Sequence, residues 1–160
     1  MNLSTAAGPV ALFFVIFLGE AGLPLFVPAE VALFVVGGAV GASWASAAYM
    51  GTALSADVLG ALALYSVVLH GATLAARIPR LAPFISAAAR AANRCGAHSA
   101  RRVACARCVP LLRVPAAFGA GISHLPLPSF VAAVAIGGIV WVSLFLGAGI
   151  ALAGTLNGLR

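Results

Sequence analysis

The sequence predicts an all-α polytopic membrane protein, built from two re-entrant, broken-helix hairpins and two spanning helices, with an inverted repeat relating the hairpins. Three observations carry that expectation. Hydrophobic residues make up 63% of the 160-residue chain and charged residues only 8%, with a mean hydropathy of +1.14. So little polar surface cannot cover a soluble domain of this size. Two stretches, residues 44–70 and 129–156, are apolar over more than the roughly 20 residues a bilayer requires. Two others, residues 9–42 and 103–126, are apolar but interrupted by proline and glycine, the sequence sign of a discontinuous membrane helix. Residues 1–160 are expected to form a single membrane domain.

The charge is one-sided. All nine basic residues are arginines and lysine is absent, against three acids, Glu20, Glu30 and Asp57, for a formal charge of +6. In a soluble protein a pI near 10.7 would suggest nucleic acid. Here the arginines cluster beside apolar spans, which points to anionic headgroups and the positive-inside rule instead. No nucleic-acid partner is expected. No Lys or Arg precedes the first apolar run, and that run meets Glu20 rather than a small-residue cleavage site, so no removable signal peptide is expected.

In chain order, Pro9 to Leu18 is apolar but too short to span, and Glu20 interrupts it. The sequence AGLPLFVPAE follows, with Pro24 and Pro28 four apart, and then a second short apolar run from Val31 to Val40. This is the first expected hairpin. Residues 44–70 are long enough to cross, with Trp44 and Tyr49 as interface aromatics. Asp57, Gly60, Ala61, Leu64 and Tyr65 share one helical face, so the acid is expected to look toward a neighbouring helix across small residues. Residues 77–102 carry six arginines and no acid. Leu81, Phe84, Ile85 and Ala88 fall at i, i+3, i+4 and i+7, as in an interfacial helix on the cytoplasmic leaflet.

Residues 103–126 then place Arg107, Pro110, Arg113 and Pro115 inside apolar sequence. A guanidinium at bilayer depth costs at least about 2.5–3.5 kcal/mol, so these arginines require partners. Proline cannot donate a backbone hydrogen bond and disfavours helix just before it, so a straight span through Pro110 and Pro115 is not expected. The segments FVPAEVALFVVGGAVG (residues 26–41) and RVPAAFGAGIS (residues 113–123) share a Val-Pro-Ala turn, an upstream proline and a small-residue helix. Corresponding breaks in two halves are the mark of an inverted-repeat transporter, whose site lies where the breaks meet.

Three blocks of residues resemble the DedA family, also called the SNARE-associated or VTT-domain family. The first is Glu20, Gly22, Leu23, Pro24, Pro28 and Glu30; the second is Asp57, Gly60 and Tyr65. The third and most specific is Arg107, Pro110, Arg113, Gly119, Phe130, Gly137 or Gly138, and Trp141. Ala29 and Cys108 depart from the usual family residues. Members commonly continue with one more spanning helix, so a short member, or one completed by a partner or a homo-oligomer, is expected. The resemblance implies two re-entrant helices with acids and arginines at their tips, in a multi-pass protein of the bacterial cytoplasmic membrane. It further implies translocation of undecaprenyl phosphate, in some members dependent on the proton gradient, or scrambling of phospholipids.

On that reading Arg107 and Arg113 grip a lipid phosphate, since guanidinium donates two parallel bonds to phosphate oxygens. The competing reading is that they neutralise Glu20 and Glu30 or snorkel to the interface. These two acids, with Asp57, are proton carriers or static ion-pair partners. A non-transporting, membrane-organising subunit remains the reading from a different class. Cys95-x-x-His98 and Cys105-x-x-Cys108 have zinc-compatible ligand types but a short gap between the pairs, so no metal and no cofactor is expected. Ser123-His124 lacks a G-x-S-x-G elbow, and no enzymatic activity is expected.

Overall fold

The computed structural model describes residues 3–23, 27–75 and 96–158, together with residues 78, 83, 86, 87, 90, 92 and 94. Its regular elements are all helical: α1 (Leu3–Glu20), α2 (Ala29–Val40), α3 (Trp44–Ala75), α4 (Ala100–Arg107), α5 (Arg113–Ile122) and α6 (Leu127–Gly158), with a single 3-10 turn at Pro110–Leu112 before α5. Two of these helices are long and apolar enough to cross a membrane, over Trp44–Ala72 and Leu127–Leu156. The chain forms two compact units, Met1–Gly60 with Gly138–Arg160, and Ala61–Gly137.

In the first unit, α1 reaches back past Pro9 to Leu3, so its 18 residues span about 27 Å at 1.5 Å per residue. Its end is fixed by Gly22, whose φ of 89° is open to glycine at no steric cost. Leu23 N–H then donates back to the Leu18 carbonyl at 3.1 Å, satisfying an acceptor that the helix end would otherwise orphan. Pro28 is extended, with φ −60° and ψ 137°, and caps α2. Its carbonyl accepts from Val31 N–H at 3.1 Å. The interruption expected in this region therefore lies between Gly22 and Pro28; Pro24 falls outside the described residues.

Leu12 and Ile16 of α1, Leu33 of α2, Ala53 and Ala56 of α3, and Trp141 and Val142 of α6 form one buried cluster. Helices α2 and α6 meet backbone to backbone. A Cβ on Gly37 would strike the Leu146 carbonyl, and one on Gly149 would strike the Phe34 carbonyl. Small residues at such a crossing let the two backbones approach into direct van der Waals contact. Tyr49, expected at an interface, is instead half-buried with its hydroxyl lying over Gly8 of α1. Trp44 remains exposed.

In the second unit, α5 lies on α3, where Gly121 allows approach to the Tyr65 carbonyl and the Val68 side chain. Val68, Ala72 and Ile122 are buried together there. Gly137 likewise admits the Arg107 Cβ of α4, which a methyl group at that position would meet at 2.8 Å. Pro110 opens the 3-10 turn, and that is where the helix is interrupted. Pro115 is not a break. It lies in the first turn of α5, where no N–H has an intrahelical partner and proline is tolerated. Leu81, Phe84, Ile85 and Ala88, the apolar face expected of an interfacial helix, lie outside the described residues, as does Cys95.

Candidate functional site

Arg107 and Arg113 are buried, at 0% and 1% exposure. Arg107 closes α4, where a cation complements the negative end of the helix dipole. Arg113 opens α5. The 3-10 turn folds the two helix ends toward one another, and Arg107 Nη1 donates to the Arg113 carbonyl at 3.3 Å. The six-residue spacing read in the sequence thus becomes a direct side-chain link across the break. A guanidinium carries five donors in a fixed fork and no acceptor, so this pair is chemically suited to an anion with several oxygens.

The acids fall in the first unit. Glu20 ends α1 and is buried, with its Cβ against Gly60 of α3. Asp57, one turn before Gly60, is fully buried and presents its carboxylate to Gly138 of α6. This is the small-residue face expected from the helical spacing. Glu30 differs: it is partly exposed and stands in the first turn of α2, where the helix dipole favours an acid whatever else it does.

One residue of the site region was placed by the sequence on the face of Asp57 and in a motif, without a role. Tyr65 donates its buried hydroxyl to the Leu125 carbonyl at 2.6 Å and stacks on Phe130 with ring centroids 4.5 Å apart. It clamps the turn between α5 and α6. That turn is made by His124, in the left-handed region at φ 53°, and by Leu125 N–H donating to the Ala120 carbonyl at 3.0 Å. The signal was a phenol within an apolar stretch, residues 61–65, since a buried Tyr hydroxyl needs a partner. Tyr65→Phe is expected to leave the Leu125 carbonyl without its donor, at a cost of about 1–3 kcal/mol. Thermal unfolding in detergent, compared with wild type, measures it.

The side chain of His124 is exposed. Cys105 is an exposed free thiol and Cys108 a partly buried one; Cys108 is the C-cap of α4. Among the described residues no group of three His, Cys, Asp or Glu side chains is placed to hold a metal ion.

Comparison with protein-family models, with curated proteins and with solved structures found no match. The fold and site therefore define this chain at the level of an all-helical protein with two helices of membrane-crossing length.

Proposed function

We propose that this chain is a multi-pass membrane transporter of a lipid phosphate, of the DedA type, in which Arg107 and Arg113 grip the phosphate. The observation that carries the reading is the buried arginine pair joined across the break between α4 and α5. Each guanidinium is a planar fork of N–H donors, and two of them on neighbouring turns suit the several oxygens of a phosphate through charge-assisted bonds. The amino end of α5 adds the positive end of its dipole at the same place.

The surface supports a lipid environment. Leu111, Val67, Val35 and Leu144 are exposed while Glu20, Asp57, Arg107 and Arg113 are buried, the reverse of a water-soluble arrangement. Helices α2 and α5, of 12 and 10 residues, are shorter than the roughly 20 residues needed to cross, which favours re-entrant hairpins related as an inverted repeat. In this reading Glu20, Glu30 and Asp57 carry protons that couple the cycle to the gradient. The substrate is a polyprenyl phosphate such as undecaprenyl phosphate, and the site of action is the bacterial cytoplasmic membrane.

The test is uptake of a short-chain polyprenyl phosphate into proteoliposomes by wild type, Arg107→Ala and Arg113→Ala. Both folded variants are expected to lose uptake. Wild-type rates in both would remove the phosphate pair from the mechanism. Transport of phosphatidylethanolamine at equal rate without any gradient would instead identify a scramblase. Activity only after addition of a second protein would identify a subunit.

A further inference from the structure

The second unit contains a cavity of about 490 Å³ between Ala92, Gly96 and Ala97, α4, the 3-10 turn and α5. That volume lies within the roughly 300–1,000 Å³ typical of small-ligand sites. Its walls are aliphatic or aromatic, with Val103, Ala106, Leu112, Ala116, Phe118 and Ile122 prominent, and among the described residues lining it Arg102 alone is charged. On α5 the lining positions 115, 116, 118, 119 and 122 fall at the i, i+3, i+4 and i+7 spacing of one helical face. Arg113, Ala117 and Ala120, all buried, are not among them. The cavity is thus separate from the arginine pair.

Arg102 both lines the cavity and is exposed. Its position is set by Gly96. That residue is left-handed, with φ 78°, and the Arg102 side chain lies directly over it: a Cβ there would strike the Arg102 stem and come within 2.6 Å of Nη1. Arg101, Arg94 and Arg90 are also exposed. No acid occurs anywhere after Asp57 in the sequence. Within the second unit, residues 61–137, every formally charged side chain is an arginine, and a neutral or cationic occupant would leave that charge unanswered.

An occupant must combine an apolar body with an anionic end. We propose that this cavity holds one fatty-acyl chain of an anionic glycerophospholipid, with the lipid phosphate on Arg102 and Arg101 beside it. The inference rests on the membrane reading of the chain and not on transport. A lipid held there would fix the arginine-bearing segment to its leaflet, because tail and headgroup are gripped by the same few turns of helix.

The experiment uses purified full-length protein in detergent and native mass spectrometry, with phosphatidylglycerol or phosphatidylcholine of equal chain length added. Phosphatidylglycerol is expected to be retained about tenfold more than phosphatidylcholine, the worth of one charge-assisted contact. Arg102→Gln is expected to abolish that preference. Ala116→Phe, which fills the cavity without altering charge, is expected to lower phosphatidylglycerol retention about tenfold. The tail is located separately. Phe118→Trp places an indole on the cavity wall, and phosphatidylglycerol brominated in its acyl chain should quench it beyond the quenching of wild type. Equal retention of the two lipids, wild-type retention by Ala116→Phe, or no added quenching of Phe118→Trp would each overturn the assignment. Capture of a peptide segment in place of lipid would do the same. Neither lipid is a polyprenyl phosphate, so failure here leaves the uptake test untouched, and the reverse.

Discussion

Arg107→Lys, which keeps the positive charge, is expected to lower polyprenyl phosphate uptake about tenfold to a hundredfold, the equivalent of losing about 1.5–3 kcal/mol of charge-assisted hydrogen bonding. The Arg113 carbonyl takes one donor of the Arg107 fork. A planar guanidinium can hold that carbonyl and still direct other donors at a phosphate in fixed geometry. An ammonium is a point charge with three rotating donors on a thinner stem, and at a fully buried position it fills less space as well. Initial uptake rates in proteoliposomes, read beside thermal stability of the same preparation, separate lost function from lost fold. A lysine variant with wild-type rates would mean that charge alone suffices.

Gly149→Ala and Gly37→Ala are each expected to destabilise the first unit by about 1–3 kcal/mol, although helix propensity by itself favours alanine over glycine by about 1 kcal/mol. Packing wins because of what the new methyl meets. At Gly149 it meets the Phe34 carbonyl and, at 2.9 Å, the Gly38 amide; at Gly37 it meets the Leu146 carbonyl. Backbone cannot swing aside as a long side chain can, so α2 and α6 must separate along their whole crossing. Gly147→Ala is the control. Nothing lies within 4 Å of a Cβ at Gly147, so there the propensity term stands alone and the change is expected to be neutral or stabilising. Melting temperatures of the three variants in one detergent decide the matter. A destabilised Gly147→Ala, or an unaffected Gly149→Ala, would contradict the crossing.

Much of this architecture is legible in the sequence because the strongest signals are local. Apolar runs of sufficient length mark α3 and α6, and Pro28 and Pro110 mark where α2 and the 3-10 turn begin. Boundaries are less legible because proline has two meanings. Residues 129–156 were expected for the last span, yet α6 begins at Leu127 with Pro128 in its first turn, just as Pro115 sits in the first turn of α5. Pro9 is carried inside α1, so that helix starts earlier than its apolar run suggests. The burial of Arg107, Arg113 and Asp57 was legible from cost, since charges in apolar helices must be taken inward.

Other features depend on which helix passes which, and no local pattern encodes that. The hydroxyl of Tyr49 over Gly8, the seating of Tyr65 on the turn after α5, and the Gly37 and Gly149 crossing are all of this kind. Each involves partners far apart in the chain. The left-handed His124 was hidden for a different reason: glycine advertises such a conformation and histidine does not.

Helix α5 has only ten residues, and a helix so short normally frays from both ends, exchanging its terminal amides long before its central ones. Here the first residue is tied through its carbonyl to Arg107 of α4, and the turn after the last is held by Tyr65 of α3. A rod fastened at both ends to different helices has no loose end from which to unwind. Its amides are therefore bound into one opening event shared with α4 and α3, and the segment that carries Arg113 stays intact until that whole body gives way.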